Sequence, residues 1–271
     1  MDLTSLRALI VDMDGVLYRG ETAIPGAAAF LAWLAGREFP FLLVTNNSTL
    51  TPEAYQAKLA AMGITVPAAR IITSGMATAE YLARNLSGPA RVYMIGESGL
   101  ERALRERGFA LTAEAPDVVV VGMDRAVNYD KLRTATLAIR AGAQFVATNP
   151  DRTLPTEAGL VPGAGAIVAA IAAATDREPV VIGKPEPPLL EWAVARLGQP
   201  RPYTAVLGDR LETDIAGARR LGLAAILVLS GVTREPPAEG EIQPDWVFPS
   251  VRELQRAWQE SLGEAPQRPR P

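Results

Sequence analysis

The 271-residue chain is 48% hydrophobic and 21% charged with a net charge of −3, the balance of an ordinary globular protein with apolar material enough for a core. That charge offers no basic field for nucleic acid or anionic lipid, and no apolar run reaches the ~18–20 residues of a membrane span. The chain has no Cys and no His, which excludes disulfides, thiolate nucleophiles, Ser-His-Asp triads and His- or thiolate-bound metals. An enzyme built from it works with carboxylates, Lys, Arg, hydroxyls, backbone amides or a cofactor. A bound metal would take oxygen ligands, which favours Mg²⁺, Mn²⁺ or Ca²⁺. The first residues do not read as a basic stretch followed by an apolar one, and a cytoplasmic location is expected.

In chain order, the apolar run 8–11 predicts a buried strand that ends at Asp12-Met13-Asp14-Gly15-Val16. A spacing of two puts both carboxylates on one side of an ideal strand, where they repel each other and where a divalent cation would relieve them. Gly15 allows a sharp turn directly afterwards. A calcium loop fits poorly, because Val16, Leu17 and Tyr18 stand where further oxygen ligands are needed. An Ala/Leu-rich helix is expected over 25–36 and a strand over 41–44, ending at Thr45-Asn46-Asn47-Ser48. Thr51 and Pro52 open the next helix, which stops at Gly63. A short strand at 71–72 and a helix to about 86 complete a strand–helix alternation, the pattern of a parallel sheet covered on both faces.

A second set of elements occupies 87–179, enough for a small core of its own. Strands are expected at 92–95, 117–122 and 145–148, with helices at 100–107, 129–141 and 163–174. The first pattern then resumes with 180–182 leading into Gly183-Lys184-Pro185, and a strand at 205–209 ends at Asp209. Helix 213–221, strands 225–229 and 246–248, and a final helix follow; Ser250 and Glu253 make a capping box for the last. The Pro-, Gln- and Arg-rich tail 263–271 reads as disordered. Gly163-Ala164-Gly165 at a helix start is read as packing rather than nucleotide binding, since position 168 is Val rather than Gly.

Four apolar runs thus end in polar residues that can meet at one sheet edge: Asp12 with Asp14, Thr45 with Asn46, Lys184, and Asp209 with Asp214 nearby. Ligands of open α/β sheets bind outside the carboxyl ends of the strands. These residues, with Gly15-Val16-Leu17-Tyr18-Arg19-Gly20, Val44-Thr45-Asn46-Asn47-Ser48, Thr148-Asn149-Pro150-Asp151 and Gly208-Asp209-Arg210-Leu211-Glu212-Thr213-Asp214, resemble the haloacid dehalogenase (HAD) superfamily of phosphatases. Within it they resemble the NagD-like and 4-nitrophenylphosphatase branch, over essentially the whole chain except the tail.

The resemblance implies an α/β fold with a Rossmann-like parallel-sheet core and an inserted α/β cap domain. The core is expected at 1–86 and 180–262 and the cap at 87–179. It implies Mg²⁺-dependent hydrolysis of a small phosphomonoester (a sugar phosphate, nucleotide or phosphoglycolate-like acid) through an aspartyl-phosphate on Asp12. Asp14 would be the general acid and base. Thr45, Asn46 and Lys184 would hold the phosphoryl group. Asp12, Asp14 (through its carbonyl), Asp209 and Asp214 would hold Mg²⁺. Asn149, Asp151 and Arg152 are expected to face substrate from a cap loop, with a plain turn around Asn-Pro-Asp the equal alternative; Arg19 and Glu157 are further positions weighed for substrate contact. A homodimer through the cap is compatible with the resemblance. Haloacid dehalogenation, a phosphomutase and a non-catalytic phosphometabolite-binding protein on the same fold remain the alternatives. Against the binder, such a protein has no use for Asp14.

Overall fold

The computed structural model describes residues 2–156 and 159–264, residues 155 and 156 by their backbone alone. Most of the tail expected to be disordered, 265–271, and Glu157 fall outside the described residues. The chain divides into two compact units, one of Met1–Val44, Gln56–Ile71 and Ala193–Pro271, the other of Thr45–Tyr55 and Ile72–Trp192.

The first unit holds all but Thr45, Ile72 and Thr73 of a six-stranded sheet in the order Trp246–Phe248, Ala224–Val228, Thr204–Gly208, Ala8–Val11, Phe41–Thr45 and Ile71–Thr73. The first five strands are parallel to their neighbours. Every residue of Ala8–Val11, Thr204–Gly208 and Ala224–Val228 is buried, as continuous apolar runs require when helices cover both faces. The final helix, Val251–Ser261, presents Val251, Leu254 and Trp258 inward. The Trp258 ring meets Trp33 and Phe39 edge to face at 5.5 and 5.3 Å. Ser250 caps this helix as expected, accepting from the Arg252 N–H. The Glu253 carboxylate, however, takes the Ser250 hydroxyl.

The second unit carries a five-stranded parallel sheet in the order Val180–Val181, Gln144–Ala147, Val118–Val121, Arg91–Ile95 and Ala110–Leu111. Ile95, Val119, Val121, Ile139, Phe145 and Ile171 meet in its core. The segment 87–179 lies wholly within this unit. Val180–Val181, which the sequence reading joined to the first pattern, pairs with Val146 and Ala147 here. Two residues carry too little periodicity to say which sheet a strand joins.

Two short antiparallel pairs have no counterpart in the sequence reading. They join Tyr18–Arg19 to Thr22–Ala23 and Thr153–Thr156 to Gly159–Pro162. The former is two residues a side and the latter is mostly exposed, so neither writes an apolar alternation into the sequence. The glycines at 163 and 165 do serve packing: a Cβ on either would run into the backbone of Asp151 or Pro150. No helix among the described residues is long and apolar enough to cross a membrane.

Candidate active site

Parallel strands end with their last carbonyls and the following side chains at one edge, which is where the predicted acids of the first unit stand. The Asp12 N–H continues the ladder past Ala8–Val11 by bonding the Leu207 carbonyl at 2.8 Å. Met13 is buried, and its carbonyl accepts from the Leu17 N–H at 2.8 Å, so the chain folds over immediately after Asp12. Asp14 is exposed, and the Tyr18 hydroxyl donates to its Oδ2 at 3.1 Å. Asp209 follows Thr204–Gly208 and Asp214 lies in the widened π turn Leu211–Ile215; they are 2% and 1% exposed.

Asp12, Asp209 and Asp214 come together: one carboxylate oxygen from each lies within 4.8 Å of the others. Backbone and hydroxyl donors hold Asp209 and Asp214 in place. The Val232 N–H bonds Asp209 Oδ2 at 2.6 Å, and the Arg210 N–H and Thr213 hydroxyl reach Asp214 Oδ2 at 3.3 Å. At that separation each pair of ionised carboxylates repels by roughly 3 kcal/mol for an effective dielectric of about 20. The set is three hard oxygen donors with neither nitrogen nor sulfur, in largely buried surroundings, which fits a divalent cation of the Mg²⁺ type. The Asp14 carboxylate is not one of the three.

The second unit gathers the predicted amide and ammonium residues. Lys184 and Asn46 are both buried. The Asn46 side chain grips the Lys184 backbone, accepting from its N–H at 2.7 Å and donating to its carbonyl at 2.9 Å. The same amide reaches Asp151 Oδ1 at 3.1 Å. Asn149 donates to the Asn46 carbonyl at 2.8 Å and to Thr148 Oγ1 at 3.1 Å, and accepts from the Asp151 N–H at 3.1 Å. Ser74 also donates to the Asn46 carbonyl. Thr45 is buried, and its hydroxyl oxygen accepts from the Asn47 N–H at 3.1 Å. The unit thus brings Asn46, Asn149, Asp151 and Lys184 into one hydrogen-bonded group. Arg19 donates from Nε to the Ser230 carbonyl at 2.5 Å, an internal tie in the first unit.

Several residues of these groups escaped the sequence reading. Gly231 is one: a Cβ there would overlap the Asp209 carboxylate. Ser74 is another, and only topology brings it to Asn46. Tyr18 had a signal, since it lies within the motif that follows Asp14, but nothing in the spacing said which group its hydroxyl would meet.

Two family models match the chain: a haloacid dehalogenase-like hydrolase over residues 9–110 and a HAD-hydrolase-like model over 181–254. An acid sugar phosphatase of Staphylococcus saprophyticus is 41% identical over 254 residues, covering 93% of this chain and 98% of that protein. Among solved structures, a 4-nitrophenylphosphatase of Thermotoga maritima matches with a TM-score of 0.90 at 37% identity, covering 95% of this chain and 99% of the other. NagD of E. coli K-12 matches with a TM-score of 0.83 at 36% identity, covering 92% and 98%. A glycerol phosphate phosphatase of Mycobacterium tuberculosis, solved in complex with magnesium, matches with a TM-score of 0.85 at 37% identity, covering 93% and 77%. The chain belongs to the haloacid dehalogenase-like hydrolase family. Relatives within the family include NagD and phosphatases, and the chain is an enzyme of that HAD phosphatase class.

Proposed function

We propose that this enzyme hydrolyses a small phosphomonoester of the sugar phosphate or glycerol phosphate kind, with Mg²⁺, through an aspartyl-phosphate on Asp12. One observation carries the reading: the convergence of Asp12, Asp209 and Asp214 within 4.8 Å. Relatives named for acid sugar and glycerol phosphate hydrolysis, one of them bound to magnesium, support the substrate class and the ion.

In this reading the Asp12 carboxylate attacks phosphorus in line, the ester P–O bond breaks, and Asp14 gives the departing oxygen its proton. Asp14 then takes a proton from the water that attacks phosphorus, and phosphate leaves as Asp12 is regenerated. Lys184, the Thr45 hydroxyl and the Asn46 N–H hold phosphoryl oxygens, and phosphoryl transfer depends mostly on such positioning and charge stabilisation. The carboxylates of Asp12, Asp209 and Asp214, with the Asp14 carbonyl, would hold the ion. When bound, Mg²⁺ offsets the negative charge of carboxylates and substrate. Asn149 and Asp151 belong to the loop that faces substrate, Asn149 as its brace. The cap is the insert around 87–179, extended by the Val180–Val181 strand that completes its sheet.

The test is hydrolysis of 4-nitrophenyl phosphate by the purified enzyme. The reading expects turnover that EDTA abolishes, that Mg²⁺ restores and that Asp12→Asn lacks. Turnover that survives EDTA or the substitution overturns it.

A further inference from the structure

Asp14 is the one proposed proton carrier, and it is exposed, whereas the side chain that holds it is not. Tyr18 is fully buried, and its hydroxyl donates to Asp14 Oδ2 at 3.1 Å. The ring cannot wander. The Gly15 N–H bonds the Tyr18 carbonyl at 2.8 Å, and Tyr18–Arg19 pairs with Thr22–Ala23. Lys58 Nζ stands 4.7 Å over the ring centroid and is itself tied to Glu21 at 3.1 Å. A cation over the face of a phenol draws electron density from it and strengthens its O–H as a donor.

An exposed aspartate ordinarily samples several rotamers, and each one away from the leaving oxygen wastes the acid. A proton transfer concerted with bond cleavage gains most from a donor already placed at hydrogen-bond reach. We propose that Tyr18 is a positioning residue for the phosphatase reaction, holding the Asp14 carboxylate in the one orientation from which it protonates the leaving alkoxide. The proposal rests on the acid role given to Asp14 above. A buried tyrosine needs a partner for its hydroxyl on structural grounds alone, so the test must separate orientation of Asp14 from plain support of the fold.

The leaving group separates them. 4-Nitrophenolate departs as a stabilised anion and needs little help from an acid, whereas a glycerol alkoxide needs its proton as the P–O bond breaks. The parameter kcat/KM covers the steps up to departure of that group. The experiment measures kcat/KM for glycerol phosphate and for 4-nitrophenyl phosphate on single preparations of wild type, Tyr18→Phe and Asp14→Asn. Because both substrates meet the same enzyme stock, any loss of folded protein cancels in the ratio. Tyr18→Phe is expected to lower the glycerol phosphate to 4-nitrophenyl phosphate ratio about tenfold, and Asp14→Asn to lower it further, towards the ~10²–10⁴-fold typical of a lost general acid. An unchanged ratio in Tyr18→Phe beside a collapsed one in Asp14→Asn overturns the role of Tyr18 and leaves that of Asp14 standing. An unchanged ratio in both overturns the acid role itself and the inference with it.

Discussion

Asp209 is hemmed in by two residues that have no side chain. Gly15 sits at φ 77°, a left-handed conformation glycine adopts without strain, and a Cβ on it would collide with the Asp209 carboxylate. Gly231, from the loop after Ala224–Val228, crowds the same carboxylate, and the neighbouring Val232 N–H bonds it. The acid therefore has one place to go, and that place faces Asp12 and Asp214. Gly231→Ala must push Asp209 aside. Displacing a group that orients a metal ligand commonly costs 10–100-fold in affinity. Mg²⁺ titrations followed by thermal unfolding are expected to raise the Tm of the wild type, with Gly231→Ala needing about tenfold more ion for the same rise. A wild-type Tm that Mg²⁺ does not move would contradict the assignment of the cluster to a cation. Asn46 does for Lys184 what the glycines do for Asp209: its side-chain amide accepts from the backbone N–H of the lysine and donates to its backbone carbonyl.

Individual elements explain why these residues can be so placed. Thr204–Gly208 delivers Asp209 from a fully buried strand, and the following turn is widened to a π turn in which Asp214 folds back to the Arg210 N–H. Gly208 leaves the room for that return, because a Cβ there would overlap Asp214. In the second unit, Asp117 ties the start of Val118–Val121 to the start of Arg91–Ile95. Its carboxyl is held below the usual carboxylate range first by the Arg91 backbone N–H, then by the Arg91 side chain. A carboxyl depressed in the folded state contributes stability above its unfolded value of about 3.9, and that contribution is lost as pH falls through the folded value. Wild type is therefore expected to melt slightly above Asp117→Asn at pH 7, with the gap closing as pH drops below about 4. A gap that persists or widens in acid would show that the bond acts otherwise.

At the scale of the molecule, how much could be read in advance depended on how local its cause was. Strand–helix alternation is written in apolar runs, so the parallel α/β architecture was legible, as were the helix caps at Thr51 and Ser250. Strand order was not, because nothing in a four-residue run says that Ala8–Val11 lies between Thr204–Gly208 and Phe41–Thr45. The short pairs at Tyr18–Arg19 and Val180–Val181 were missed or joined to the wrong neighbours for the same reason. Asp12 and Asp209 were legible because each directly follows a buried strand. Their supports were not: Gly231 and Ser74 act through close approach to residues distant in sequence. The proposed reaction depends on Asp12 being the nucleophile that captures phosphorus. The most direct measurement is rapid mixing with 4-nitrophenyl phosphate, acid quench within the first turnover and mass analysis of the digested peptides. The account predicts a burst of nitrophenolate matched by phosphate on the peptide that carries Asp12. A burst with no phosphate on that peptide, or with phosphate on another side chain, would contradict it.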